Sequence, residues 1–109
     1  MENDSSIIAN YSNPAFVLGD WTPKMAPIIL SQPDSKSAKK GQTIDFRVKV
    51  AAIPEAGYQW FKDGQIIDGA TNSILSIESV EPDDEANYSV SVKNKAGKVT
   101  SKLATLEVL

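Results

Sequence analysis

The 109-residue sequence contains neither cysteine nor histidine. These absences exclude a disulfide framework, a Cys/His zinc site, a Ser-His-Asp triad and a Cys-His dyad. No apolar stretch approaches the ~20 residues needed to span a membrane, so no membrane insertion is expected. The first residues are acidic and polar rather than basic and apolar, which is untypical of a signal peptide. We therefore expect synthesis in the cytosol without export.

The charge balance is mild, with 11 basic and 14 acidic residues and a net charge of −3. Nucleic-acid binders usually gather a basic excess on one face, so nucleic acid is not an expected partner. Gly-rich phosphate loops, nucleophile elbows and metal-ligand spacings are missing as well. The sequence predicts a protein that is not an enzyme, with no catalytic residue, no metal site and no cofactor.

An acidic run near the end of the chain is the one candidate for a metal site. It consists of Glu81, Asp83, Asp84 and Glu85. Carboxylates of this kind bind calcium when a loop spaces them suitably. The spacing here matches no calcium loop, so we favour a solvated corner.

Residues 27–109 divide into short strands separated by turns. Residues 43–50 alternate strictly between apolar and polar side chains, which is typical of a half-buried antiparallel strand. Further strands are predicted at residues 27–32, 58–61, 66–67, 73–78, 87–93 and 99–109. Turns are predicted between them, among them residues 62–65 with their Asp-Gly dipeptide. Such a pattern favours a sandwich or a barrel.

Residues 1–26 show neither helical nor strand periodicity and are predicted to form an extended arm. Their apolar side chains are candidates to anchor the chain on a partner protein. These residues are Tyr11, Phe16, Val17, Leu18 and Trp21. Two alternatives stay open: the arm folds back on its own domain, or it is linker sequence.

Three motifs resemble the intermediate-set immunoglobulin family. Residues 58–64 read YQWFKDG, residues 84–90 read DEANYSV, and Asn94 precedes Gly97 at the last hairpin. The resemblance covers residues 27–109 and implies an all-β Greek-key sandwich with Trp60 in the core. It also implies that the Tyr88 hydroxyl bonds to backbone a few residues upstream.

The chain departs from this family at the two cysteines, whose places are taken by Val48 and Val90. In this respect it is similar to cysteine-free immunoglobulin-like modules of bacteria and phages, which carry a run like residues 68–77. Apolar packing then replaces the disulfide. The structural core residues implied by the resemblance are Val48, Trp60, Leu75, Asp84, Tyr88 and Val90.

Lysines cluster on the last hairpin at Lys93, Lys95 and Lys98. They are possible contacts for an acidic surface or a glycan. The alternative, which we favour from sequence, is a charged hairpin that blocks edge pairing.

The resemblance leads to a functional hypothesis of binding or display. The first expectation is a decoration protein of a tailed-phage virion, anchored by its arm on a major capsid or tail protein. Weak contacts with host-surface glycans are a secondary expectation. The alternatives are an adhesion or spacer module of the bacterial cell surface, and a cytoskeletal intermediate-set domain of the muscle type. Fold alone does not decide between them.

Overall fold

The computed structural model describes residues 23–109, and residues 1–22 lie outside this part of the chain. The described residues form ten strands and one 3-10 helix and contain no α-helix. The strands are β1 (Met25–Ser31), β2 (Lys36–Ala38), β3 (Ile44–Arg47), β4 (Lys49–Ile53), β5 (Gly57–Lys62), β6 (Gln65–Ile66), β7 (Ile74–Ile77), β8 (Ala86–Asn94), β9 (Gly97–Thr100) and β10 (Ala104–Val108). The 3-10 helix is Pro82–Asp84.

The strands form two layers. The larger sheet has the order β2-β10-β8-β5-β6, and β9 also pairs with β8. The other layer contains the pairs β1-β4 and β3-β7. All pairs are antiparallel except β2 with β10. The predicted all-β sandwich is confirmed.

Strands β3 and β4 are two halves of one extended segment that is interrupted at Val48. The Val48 N–H donates a hydrogen bond to the carbonyl oxygen of Ser73, the residue just before β7, at 3.0 Å. Phe46 and Val48 are buried while Arg47 and Lys49 are exposed, so the alternation of the segment persists through the interruption. The single strand predicted at residues 43–50 is therefore two strands, one on each side of Val48.

Three aromatic rings form the centre of the core. Phe46 lies with its ring centroid 5.0 Å from that of Tyr88 and 6.4 Å from that of Trp60. The Trp60 indole N–H donates to the Asn72 carbonyl oxygen at 2.7 Å, so this buried donor is satisfied. Aromatic pairs at such distances stabilise a fold by about 0.5–1.5 kcal/mol beyond area burial.

Val48 and Val90 line this core from opposite layers. Val90 is fully buried in β8 and pairs with Trp60 of β5, and Val48 is 6% exposed. Burying a valine side chain stabilises by roughly 1.5–3 kcal/mol, which is comparable for the pair to the 2–5 kcal/mol typical of a native disulfide in a small domain. Packing of this kind does not depend on the redox state of the compartment.

The strand predicted at residues 99–109 is two strands, because Ser101 interrupts it. The Ser101 N–H donates to the Val90 carbonyl oxygen, and Ser101 Oγ accepts from the Val90 N–H, both at 2.9 Å. The hydroxyl also donates to the Lys102 carbonyl oxygen at 2.9 Å. The Ser101 hydroxyl thus accepts the hydrogen bond that the backbone carbonyl of a paired strand would accept from the Val90 N–H. Regular pairing with β8 resumes at Ala104.

Candidate protein-binding face

The lysine cluster lies at one end of the larger sheet, on the hairpin of β8 and β9. Lys93 and Lys98 are exposed and stand directly opposite each other in this hairpin, and Lys95 lies in its turn. Gly57 of β5 is the neighbour of Lys93 on its other side. Within residues 23–109 none of the three lysines has an ion-pair partner.

Asn94 determines the shape of this hairpin. Its Oδ1 accepts hydrogen bonds from the N–H groups of Ala96 and Gly97 at 2.9 and 3.1 Å. Its Nδ2 donates to the carbonyl oxygens of Met25 and Pro54 at 2.8 and 2.9 Å. One amide therefore ties the hairpin to the first residue of β1 and to the loop after β4. The turn that carries Lys95 is therefore held by hydrogen bonds to two segments that are distant in the sequence.

A shallow groove of about 550 Å³ runs from the lysines along the outer side of β5 and β8. Its lining residues are Gly57, Tyr58, Gln59, Phe61, Ser91, Lys93, Asn94, Lys95 and Lys98. The groove is low beside the lysines because Gly57, opposite Lys93, lacks a side chain, and low in its middle because Ser91, opposite Gln59, is small. At its far end Phe61 pairs with Ile66, whose side chain is 62% exposed. The groove thus joins a cationic end to an apolar end.

The electrostatics of the cationic end favour a negatively charged ligand. Like charges placed directly opposite each other on a sheet are destabilising. The Lys93–Lys98 pair has this arrangement without a compensating carboxylate in residues 23–109. An anion bound between the two ammonium groups would relieve the repulsion, with an effect that salt screens. The arrangement can hold an acidic side chain of a partner but offers no catalytic constellation.

The acidic corner lies at the other end of β8 and is occupied by structural contacts. Asp84 Oδ2 accepts from the Glu81 N–H at 2.8 Å, and Glu85 Oε1 accepts from the Val108 N–H at 2.9 Å. Glu81 also pairs with Lys40 at 3.8 Å. No group of three or more acidic residues in the described part of the chain could hold a metal ion.

Tyr88 belongs to the same corner. Its hydroxyl donates to the Asp84 carbonyl oxygen, and burial, with smaller contributions from the charges of Asp84 and Asp63, raises the pKa of Tyr88 to about 12. The Tyr88 phenol is therefore neutral at physiological pH.

The other predicted core side chains Trp60, Val90 and Leu75 lie in the core, with Leu75 8% exposed.

The arm residues Tyr11, Phe16, Val17, Leu18 and Trp21 lie outside the described residues, so arm anchoring stays a prediction. The boundary between residues 26 and 27 stays a prediction too. No helix within residues 23–109 is long and apolar enough to cross a membrane.

Sequence reasoning found the lysines but missed the groove beside them. Gln59 and Phe61 point away from the core face of β5, and Ser91 points away from that of β8, so alternation marks all three as surface residues. Their proximity depends on the register Gln59–Ser91 and Phe61–Ser89. Only the register of the β5-β8 pair brings them together with the lysines.

Comparison with known proteins identifies the family. A model of the immunoglobulin domain matches residues 26–94. The chain belongs to the immunoglobulin domain family. This family and the structural proteins of muscle that resemble the chain are typically non-enzymatic.

Similar immunoglobulin domains occur in animal structural proteins. The chain is 30% identical over 87 residues to human cartilage intermediate layer protein 2, covering 76% of this chain and 8% of that protein. It is 31% identical over 86 residues to the muscle M-line assembly protein unc-89 of Caenorhabditis elegans, covering 70% of this chain and 1% of that protein. The solved titin M4 domain is 27% identical with a TM-score of 0.74, covering 81% of this chain and 100% of that domain. The chain thus spans only a small part of the length of cartilage intermediate layer protein 2 and of unc-89.

These relatives overturn the expected phage origin. A virion decoration protein and a virion or bacterial-surface location are wrong, because the similar immunoglobulin domains belong to animal muscle and cartilage proteins. A capsid or tail protein as the partner is not shown. The error came from the valines at 48 and 90. They indicate folding without a disulfide, which any reducing compartment permits, and do not identify the organism. Glycan contact is not shown by these relatives and stays a prediction.

Proposed function

We propose that the chain is a non-catalytic, protein-binding immunoglobulin domain of the cytoskeletal, muscle type, with intermediate-set character. The observation that carries this proposal is the similarity to unc-89 and to titin M4, which spans most of the sandwich in both cases. The valine-packed core supports it, since apolar packing suits the reducing cytosol in which muscle filaments assemble. The name of unc-89, muscle M-line assembly protein, agrees with a role in the assembly of protein filaments.

The lysine end of the groove is the docking surface in this proposal. Lys93, Lys95 and Lys98 present three exposed ammonium groups on a hairpin that Asn94 holds in place. An acidic protein surface is attracted at long range and then aligned by the groove, whose apolar end at Phe61 accepts a hydrophobic side chain. Because the site is formed on strands, binding requires little ordering of the backbone.

A second candidate function is that of a matrix module in cartilage. It is favoured by the 30% identity to human cartilage intermediate layer protein 2 over 76% of this chain. The lysines would then meet acidic components of the extracellular matrix. The two candidates differ in the tissue structure to which the domain binds.

Overlay binding tests both candidates. The full chain, fused to a fluorescent protein, is incubated with permeabilised striated muscle fibres and with cartilage sections. Regularly spaced bands in the fibres are expected from the proposal, whereas staining confined to cartilage supports the matrix module. An absence of retention in both tissues contradicts protein binding in either setting.

A charge-reversed variant locates the surface. Lys93→Glu with Lys98→Glu should reduce retention about tenfold or more, because it replaces both attractive charges by repulsive ones. Lys36→Glu with Lys39→Glu is the matched control, since these exposed lysines lie away from the hairpin and the change in net charge is equal. Equal loss in both variants would show that net charge, and not this face, determines binding.

A further inference from the structure

Strand β7 forms an open edge of the smaller layer. It pairs with β3 and with no other strand within residues 23–109. The segment before it, residues 67–73, does not run alongside it as a strand but crosses to the other sheet. There the Trp60 N–H donates to the Ala70 carbonyl oxygen at 2.9 Å and the Trp60 indole N–H donates to Asn72. This crossing closes the side of the core and leaves the outer edge of β7 without a paired strand in the described part of the chain.

The pairing with β3 determines which backbone groups face this edge. The Val48 N–H donates to the Ser73 carbonyl oxygen, so residues 48, 46 and 44 of the neighbouring segment direct their N–H and C=O groups toward residues 73, 75 and 77. Ile74 and Ser76, which alternate with these, direct theirs outward. Two N–H and two C=O groups are thus available at the edge, separated by one residue.

Edge strands usually carry a feature that prevents pairing with another chain. β1 has Pro27 and two register shifts, β2 and β9 carry Lys36 and Lys98, and β6 is two residues long. β7 reads Ile-Leu-Ser-Ile, with no charge, proline or bulge, and Ile74 is 40% exposed. An open groove of about 410 Å³ lies between this edge and the loop of residues 67–72. Among residues 23–109, nothing covers the open side of this groove or protects the edge in one of these ways.

We propose that β7 is a homotypic pairing edge, which binds β7 of a second copy of this chain in an antiparallel register centred on Leu75. In this register Ile74 of each copy faces Ser76 of the other. Since these are the residues whose backbone groups point outward, each Ile74–Ser76 pair exchanges two hydrogen bonds, and all the free groups at both edges are satisfied. The strand is its own complement about a two-fold axis.

The side chains agree with the same register. The sheet faces match, because Ile74 and Ser76 both point away from the core while the central Leu75 of each copy points into it. A register centred on Ser76 instead sets Ile74 against Glu78, which lies beyond the end of β7. Only the register centred on Leu75 therefore pairs all the outward-facing backbone groups of each β7 with β7 of the other copy.

The pairing is independent of the groove that carries Lys93, Lys95 and Lys98. That groove lies on the outer side of the larger sheet, and β7 belongs to the opposite layer. A dimer held by one short strand buries little surface, so it is weak and depends on concentration. The dimer would present two lysine-bearing grooves in one particle and would raise the avidity for a repetitive partner such as a filament.

Sedimentation velocity of the full chain over micromolar to millimolar concentrations tests the pairing. The expected result is a reversible monomer–dimer equilibrium. Ile74→Lys should raise the dissociation constant about tenfold or more, since an edge lysine opposes pairing. Ile28→Lys is the matched control, because Ile28 is an exposed isoleucine of the same layer, on β1, and should leave the equilibrium unchanged.

A spin label then checks the register. The chain has no cysteine, so Asn72→Cys gives one labelling site. When a labelled, NMR-silent copy is mixed with an isotope-labelled copy, the amides of residues 76–79 should broaden most. A monomer at every concentration, equal weakening by Ile28→Lys, or broadening centred elsewhere would overturn the proposal. Charge reversal of Lys93 and Lys98 should leave the dimer intact, so loss of the proposed partner binding and loss of pairing are separable.

Discussion

The Tyr88 hydroxyl donates a hydrogen bond to the backbone carbonyl oxygen of Asp84, four residues earlier, at 2.5 Å. Asp84 ends the 3-10 helix, and Tyr88 lies in β8 with its ring against Phe46. One side chain therefore joins the corner between β7 and β8 to the centre of the core. The contact links local turn geometry with global packing.

Removal of this hydrogen bond should destabilise the domain. Tyr88→Phe keeps the ring and deletes the hydroxyl, and we expect a loss of about 1 kcal/mol in the free energy of unfolding, measured by urea denaturation. Tyr58→Phe is the control, because no hydrogen bond from the Tyr58 hydroxyl occurs within residues 23–109, and it should change the stability by less than about 0.5 kcal/mol. If the two changes destabilised the domain equally, the hydrogen bond between Tyr88 and Asp84 would make no specific contribution to stability.

Tyr88 also makes stability depend on alkaline pH. Its pKa is raised from 10.0 to about 12 by burial and by the charges of Asp84 and Asp63, so the folded state holds the phenol proton more tightly than the unfolded chain. The stabilisation is complete below pH 10 and decreases between pH 10 and 12, by at most about 1.4 kcal/mol per pH unit. Urea denaturation at several pH values should show this decrease in the natural chain and a smaller one in Tyr88→Phe. Parallel curves would contradict the assignment.

Local patterns predicted much of the fold. The alternation in residues 43–50 identified Phe46 and Val48 as inward-facing, and both are buried. The Asp-Gly dipeptide predicted the β5-β6 turn, where Asp63 and Gly64 both have positive φ, 50° and 82°. These features depend on neighbours in sequence, which a sequence displays directly.

The features that were missed depend on contacts between distant residues. Ser101 ends β9 through two hydrogen bonds to Val90, which no local pattern reveals. The groove requires the register of β5 on β8, and the free edge of β7 requires the path of residues 67–73 across the core. The biological setting was wrong because the buried valines report on redox dependence and not on origin.

A close contact between β1 and β9 explains why position 97 is glycine. A Cβ atom added at Gly97 would lie 2.9 Å from Ala26 Cβ, which is shorter than real Cβ contacts. Gly97→Ala should therefore destabilise the domain by about 1–3 kcal/mol through overpacking. The change is measured by thermal and urea denaturation.

A double-mutant cycle isolates this contact. Ala26→Gly removes the opposing Cβ, so the double variant should recover most of the stability lost in Gly97→Ala. Gly57→Ala is the control, because a Cβ there meets nothing within 4 Å. Additive losses in the double variant would mean that β1 does not approach β9 as the structure indicates.

The valines at 48 and 90 can be converted into the disulfide that they replace. The two residues reach the core from opposite layers, as the two cysteines do in the family resemblance, and Val90 pairs with Trp60. In Val48→Cys with Val90→Cys we expect a bond to form in air and to make the oxidised form about 2–4 kcal/mol more stable than the reduced form. Alkylation followed by mass spectrometry counts free thiols, and each single cysteine variant serves as a control that stays reduced. Two free thiols in the folded double variant after air oxidation would mean that the side chains do not meet, and the packing assigned to this part of the core would be wrong.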